Sequence, residues 1–243
     1  MFKIYIIFLF FIFTDVYSQL AVIYDKDGYT NVRENASLKS KIIGKIFEGQ
    51  VFAISPFNDE NKNEEWVKVW FPEKQDSLIK NFIKSERTNE NGYIHKSRIA
   101  YLSEMDQLKQ KKYSDQKVSF DNNKLQIIVE TKNFIKSEHK IQKLSDGNLK
   151  IDNRIKVWGF YGQIPRNQIQ SIKLKTLNSI YIFPKEAISH LYEIILPYTQ
   201  VFNGKKGDVY IAMSAGDGSD SYEIAWCVKN NKIYSMTVMQ TIP

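Results

Sequence analysis

Residues 21–54 read AVIYDKDGYTNVRENASLKSKIIGKIFEGQVFAI, and residues 91–99 read NGYIHKSRI. Between turn signals, apolar and polar positions alternate in both stretches, the period-2 signature of short antiparallel strands. Ala21–Tyr24 begins the first strand. Asp25-Lys26-Asp27-Gly28 then supplies a turn, because Asp and Gly tolerate the positive φ that tight turns demand. Leu38–Lys45 follows a polar loop, Gly49 marks a second hairpin, and Val51–Ile54 returns as a strand. Trp66–Trp70 alternates again, with Trp66, Lys68 and Trp70 on one face and Val67 and Val69 on the other; Tyr93–His95 closes the set. Five short strands joined by tight turns predict a small barrel, which removes exposed sheet edges.

Within these strands Asn31-Val32-Arg33, Ser37 and Ser40 at a three-residue spacing, and Gly44 and Gly49 form an ordered set. Trp66-Val67-Lys68-Val69 and Gly92-Tyr93-Ile94-His95 follow it. The set resembles the bacterial Src-homology-3-like domain over residues 20–103. Two departures stand out: Ala36 occupies a position where that family usually has proline, and residues 72–91 (PEKQDSLIKNFIKSERTNEN) are an insertion between the last strands. The resemblance implies a shallow, aromatic-lined groove that binds short peptides or cell-wall material, with Tyr29, Trp66, Trp70 and Tyr93 as candidate ligand contacts. A small barrel also needs large side chains inside, so each of these competes with a core role. Trp70, closest to the insertion, is the expected surface aromatic. Residues 57–65 (FNDENKNEE) read as an acidic hairpin loop, either solvated or reading a basic peptide.

Residues 1–18 have the three parts of a secretory leader: Lys3, an apolar run over Ile4–Phe13, and a polar exit with Val16 and Ser18 at the small-residue positions. The run is too short for a spanning helix, which needs about 20 residues. Cleavage before Gln19 is therefore expected, giving an exported protein, periplasmic or secreted, with no membrane span in the mature chain. No cysteine follows that bond to carry a lipid anchor. The remaining 225 residues can build their core without disulfides, and the lone Cys227 has no partner in the chain. Residues 19–103 hold 13 basic and 12 acidic side chains and residues 104–243 hold 20 and 14, so the second half is mildly basic and carries most of the net charge of +7. Its lysines are scattered, whereas nucleic-acid binding asks for clustered basic residues with aromatic platforms. No nucleic-acid partner is expected.

Residues 104–123 are polar without sustained apolar periodicity and read as a linker. Strands are expected at Leu125–Val129, Ile155–Trp158, Ile169–Leu174, Ile180–Phe183, Val209–Met213, Tyr222–Val228 and Ile233–Val238, with Asn230-Asn231 as a hairpin turn. Between Pro184 and Pro197 the spacing of Ile188, Leu191, Tyr192, Ile195 and Leu196 predicts one amphipathic helix. The fold class is thus mainly β to α+β, with a five-stranded barrel (19–103), a linker, and one helix on a mostly antiparallel sheet (124–243). The heptapeptide KNFIKSE occurs at 80–86 and again at 132–138 without matching flanks, so it is not read as a repeat. The second half also has some likeness to a domain that follows the same barrel in exported bacterial proteins. That likeness rests on Tyr161-Gly162, Pro165, Ile182-Phe183-Pro184, Leu191-Tyr192 and the Gly216–Cys227 hairpin, and implies no activity.

No chemistry-bearing constellation stands out. His95, His139 and His190 have no metal-ligand spacing, and Cys227 lies in a strand with no histidine after it, where a small buried hydrophobe is expected. Gly216-Asp217-Gly218-Ser219-Asp220-Ser221 lacks the distal glutamate of a calcium loop. It reads as a hairpin turn, with Asp217, Ser219 and Asp220 as a partner-contacting loop. The expectation is a non-enzymatic, cofactor-free binding protein whose barrel docks on peptide or peptidoglycan-like polymer and whose second domain recognises a partner. Two alternatives stay open: an envelope hydrolase using Asp217, Asp220 and Glu223, and a periplasmic immunity or inhibitor protein acting on a protein partner.

Overall fold

The computed structural model describes residues 19–55, 65–72, 76–79, 82–86, 88–122, 124–145, 149–154, 157–159 and 163–240. The expected leader, residues 56–64 of the acidic loop and the Tyr161-Gly162 pair lie outside the described residues. In chain order the strands are β1 (Leu20–Ile23), β2 (Tyr29–Arg33), β3 (Ile42–Phe47), β4 (Phe52–Ile54), β5 (Trp66–Pro72), β6 (Asp76–Ile79) and β7 (Phe82–Ser85). There follow β8 (Thr88–His95), β9 (Ile99–Tyr101), β10 (Asp106–Gln107), β11 (Gln110–Ser114), β12 (Lys117–Asp121), β13 (Gln126–Asn133) and β14 (Ile141–Lys143). The last are β15 (Leu149–Ile151), β16 (Asn167–Lys175), β17 (Ile180–Ile182), β18 (Gln200–Asn203), β19 (Val209–Ala215), β20 (Tyr222–Lys229) and β21 (Lys232–Gln240).

The chain is mainly β, and three sheets stack in layers. The first has the order β3-β2-β8-β5-β4-β1-β9, the central one β10-β18-β19-β20-β21-β7-β6, and the third β11-β12-β13-β16-β17. A two-stranded sheet, β14-β15, flanks the third. The first sheet ends on β3 and β9 rather than closing into the expected five-stranded ring. Its concave side holds Ala21, Ile23, Val32, Ile46, Phe52, Val67, Val69, Phe71 and Ile94. Gly44 and Gly92 belong to this core: a Cβ on Gly44 would overlap the Phe71 ring, and one on Gly92 would overlap both that ring and Val32. The two glycines let β3 and β8 close over Phe71.

The central sheet explains why the second half reads as nearly continuous apolar strands: it is covered on both faces. Tyr222, Ile224, Trp226 and Val228 of β20 pack with Val118, Phe120, Ile127, Val129, Ile172 and Leu174 of the third sheet. Ala225 and Cys227 face the other way, with Tyr210, Ala212 and Met239, against Val22, Val51, Ala53, Trp70 and Leu102 from the first half. Small residues at the middle of that face, with Ala212 directly opposite Ala225, let the two layers approach. At the hairpin between β20 and β21, Asn230 and Asn231 take φ of 50° and 58°, the left-handed pair of a tight two-residue turn.

Three expectations are corrected. Residues 104–123 are not a linker: they contain β10, β11 and β12, and Val118 and Phe120 are buried in the main core. The short apolar alternation there escapes notice because only Val118–Phe120 of β12 are buried, between the half-buried Lys117 and Asp121.

The helix expected after Pro184 is also absent; among the described residues only single 3-10 turns occur, here Lys185–Ala187. Ala187, Ile188, His190, Leu191, Tyr192, Glu193, Ile194 and Leu196 are all buried. A one-faced helix cannot supply burial on every side. The segment instead plugs the space between central and third sheets, bridging through Trp158↔Leu191, Gln168↔Tyr192 and Ile194↔Ala215. Glu193 at φ 53° would itself break a helix.

The insertion, finally, does not border a groove of the first module. Its β6 and β7 join the central sheet, β7 parallel to β21 with Ile83 opposite Ser235 and Ser85 opposite Thr237. Gln50 Nε2 donates to Ser85 Oγ (3.2 Å), and Ser235 Oγ donates to the Gly49 carbonyl. Glu86, just past β7, pairs with the buried His190 at 2.5 Å. Burial alone would raise Glu86, but its contacts with His190 and Lys84 outweigh that and hold it at about 2. The pair ties the insertion to the plug segment.

Candidate binding site

The strand pairings place the four candidate aromatics in different surroundings. Trp66 lies opposite His95 and Lys68 opposite Tyr93, so these side chains share the outer face of the first sheet, all half-buried. The His95 ring meets Trp66 edge-on at 5.5 Å. Lys45 Nζ sits 3.9 Å over the ring of Tyr29, a cation–π contact that occupies one ring face. Trp70 departs from its expected place. A register irregularity between Val69 and Phe71 ends the alternation of β5, and Trp70 is 3% exposed, in the cluster between first and central sheets. It holds the halves together and offers no surface.

The loop carrying Asp217, Ser219 and Asp220 forms a 3-10 turn, Gly218–Asp220, that is open to solvent at Asp217 and Ser219. Asp217 and Asp220 line a cavity of about 330 Å³ with Gly159, Gln163, Ile164, Arg166 and Glu193. There Arg166 Nη2 and Glu193 Oε2 pair at 2.6 Å. Glu223 is not part of that cavity, so the three carboxylates do not converge. Among the described residues no group of three or more His, Cys, Asp or Glu is placed to hold a metal ion. Cys227 is fully buried, and burial pushes its thiol up to about 12, far from the range of a reactive thiolate.

A cavity of about 650 Å³ lies where the first and central sheets diverge, within the range of small-molecule and cofactor pockets. Gln19 and Leu20 at the start of β1, and Leu102 and Ser103 of the 3-10 turn Leu102–Glu104, form one wall. Gln107 of β10, Gln200 and Phe202 of β18, Ser214 of β19 and Glu223 of β20 form the other, and Pro197 and Tyr198 of the turn Leu196–Tyr198 close one end. Because β20 alternates, Glu223 points to the same face as Ala225 and Cys227 and away from the main core. It reaches the cavity where the packing of the two sheets gives out. Ser214, its cross-strand partner, donates to Glu223 Oε1 at 2.8 Å. Burial raises the Glu223 carboxyl to about 7, the Ser214 hydrogen bond opposing this only in part. A carboxyl that is half ionised near neutral pH, in a cavity of this size, marks a functional-site candidate.

These lining residues come from five separate stretches of sequence, which is why sequence reasoning named only Glu223, and in another role. One signal was present: Glu223 is the single charge inside the otherwise apolar run Tyr222–Val228. Comparison of the chain with protein-family models, curated proteins and solved structures finds no match to any of them.

Proposed function

We propose that this is an exported, non-enzymatic binding protein whose ligand, a peptide or peptidoglycan-like polymer, seats in the junction cavity between the first and central sheets. The observation that carries this reading is the cavity itself: enclosed by two layers, lined by three glutamines, two serines and a tyrosine, and holding one buried carboxylate. Such a mix of apolar wall and a few convergent polar groups is how small-ligand and peptide-end sites obtain orientation and specificity. Export rests on the leader read in residues 1–18. The first module is proposed as a bacterial Src-homology-3-like domain on its ordered motifs, here in an open sheet that contributes a wall rather than a free groove. Among the described residues no helix is long and apolar enough to cross a membrane.

A second reading keeps recognition on the outer face of the first sheet, where Trp66, Lys68 and Tyr93 stand together. Retention of the mature chain on isolated peptidoglycan at low salt separates the two. Ser103 is exposed at the cavity mouth, so Ser103→Trp obstructs entry without touching the core. It is expected to cut retention by at least ~10-fold, about 1.4 kcal/mol, while Trp66→Ala leaves retention unchanged. The opposite pattern moves the site to the outer face, and no retention of the wild-type chain removes the polymer as ligand.

A further inference from the structure

Three buried carboxylates occur among the described residues: Glu193, Asp208 and Glu223. Glu193 is met by Arg166 at 2.6 Å, and Asp208 by Lys229 at 3.6 Å. Glu223 is 7% exposed, and no cation among the described residues acts on it; its contact is the Ser214 hydroxyl on Oε1, and its second oxygen has no hydrogen-bond partner among the described residues. Burying a carboxylate without a counter-charge costs several kcal/mol, and proteins pair such groups or leave them protonated. At this position Gln or Met would pack without that cost. The retained acid therefore points to a charge supplied from outside.

The walls narrow the chemistry. Every other side chain lining the cavity is neutral: Gln19, Gln107, Gln200, Ser103, Ser214, Tyr198 and four apolar residues. A single carboxylate among amides is too few oxygens for calcium, which takes six to eight. With Ser214 on one oxygen, Glu223 presents the other alone, which suits a compact ammonium with three donors better than the planar fork of a guanidinium. The glutamine amides both donate and accept, matching peptide groups on either side of the charge.

Resting on the proposed site, we infer that the junction cavity recognises a primary ammonium of a short peptide, held on the Glu223 carboxylate with flanking peptide groups read by Gln19, Gln107 and Gln200. The ammonium comes from a lysine side chain or a free amino terminus. Affinity depends on pH because Glu223 must be ionised to hold the cation. Around it β19 contributes Ser214, β21 Met239, β18 Gln200 and Phe202, and the first half Gln19, Leu20, Leu102 and Ser103. Among the described side chains of the wall Tyr198 is the other titratable group, and in a chain cleaved before Gln19 the α-amino group of Gln19 joins it.

The test is calorimetry of the mature chain with three tripeptides: doubly capped Ala-Lys-Ala, its Nε-acetyl-lysine form, and Ala-Ala-Ala with a free amino terminus. The Nε-acetyl peptide is expected to bind at least ~10-fold more weakly than the lysine peptide, with Glu223→Gln abolishing the difference. Ala-Ala-Ala binding as well as the lysine peptide assigns the source to the amino terminus; binding of the lysine peptide alone assigns it to the side chain. Between pH 8 and pH 5 the lysine peptide is expected to lose up to ~100-fold in affinity as Glu223 takes up its proton. Equal binding of the lysine and acetyl-lysine peptides, discrimination that survives Glu223→Gln, or no binding at millimolar peptide overturns the inference. Equal binding that Ser103→Trp still blocks leaves the cavity as the binding site, so the two failures are distinguishable. A chain beginning at Gln19 that fails to bind, while one with a short N-terminal extension binds, shows that the chain's own α-ammonium fills the cavity and also overturns it.

Discussion

Replacing Trp70 with alanine is expected to lower the stability of the protein by about 3–5 kcal/mol, the cost of deleting a buried aromatic from a packed core. The ring is buried among Val22, Val51, Ala53 and Leu102 of the first half and Phe202, Tyr210, Ala212, Ala225 and Cys227 of the central sheet. Its loss leaves a void in a cluster built from both halves. Unfolding in urea, followed by tryptophan fluorescence and by far-UV circular dichroism, checks the prediction. The three remaining tryptophans report on both halves, Trp66 on the first and Trp158 and Trp226 on the second. The parallel β7–β21 pairing and the Glu86–His190 pair couple the halves further, so both probes should shift to the same lower midpoint. A loss under 1 kcal/mol, or two separate transitions in the wild-type chain, would show that the halves are independent.

The second large effect concerns Glu223 and has a definite sign. Its carboxyl is raised in the folded state, to about 7 from its ordinary 4.5, so folding favours the protonated form. That contribution is fully present below the unfolded pKa and is lost as pH rises through about 7. At pH 8 the folded chain therefore carries a penalty of about 3 kcal/mol, at 1.36 kcal/mol per pKa unit. Glu223→Gln keeps the size of the side chain and a carbonyl acceptor for Ser214 while removing the titration. It should stabilise the protein by about that amount at pH 8 and change little at pH 4. Thermal or urea unfolding at the two pH values measures it. A variant no more stable than wild type at pH 8 would mean that the carboxylate is solvated and not buried against the cavity. The same substitution is expected to abolish ammonium binding, so stability and function oppose each other at this position.

Much of the β architecture was legible because it rests on local pattern. The strands at 126–133, 167–175, 180–182, 209–215, 222–229 and 232–240 were carried by apolar runs and alternation, and the Asn230-Asn231 turn by residues that tolerate positive φ. What failed was set by tertiary context. Within the first KNFIKSE, Phe82–Ser85 form strand β7, where β21 offers an edge. At the second, the chain leaves β13 through Asn133 and forms a 3-10 turn, Lys136–Glu138. The shared Phe-Ile-Lys-Ser has no fixed structure of its own. The segment after Pro184 has helical spacing, yet burial on every side overrides it. Trp70 shares its alternation with Trp66, but the irregularity at Val69–Phe71 and the second sheet above it turn a surface position into a core one. The candidate site was the least legible part. Its walls come from the start of β1, two 3-10 turns and four strands of the central sheet, and only the layering of two sheets brings them together.

The junction cavity as binding site is tested most directly by nuclear magnetic resonance, mapping shift changes in the isotope-labelled mature chain as the capped Ala-Lys-Ala peptide is added. The account predicts that the changes concentrate at Ser103, Tyr198, Gln200, Ser214 and Glu223, while Tyr29, Trp66 and Tyr93 stay in place. Changes confined to the outer face of the first sheet, with the cavity residues unmoved, would contradict it.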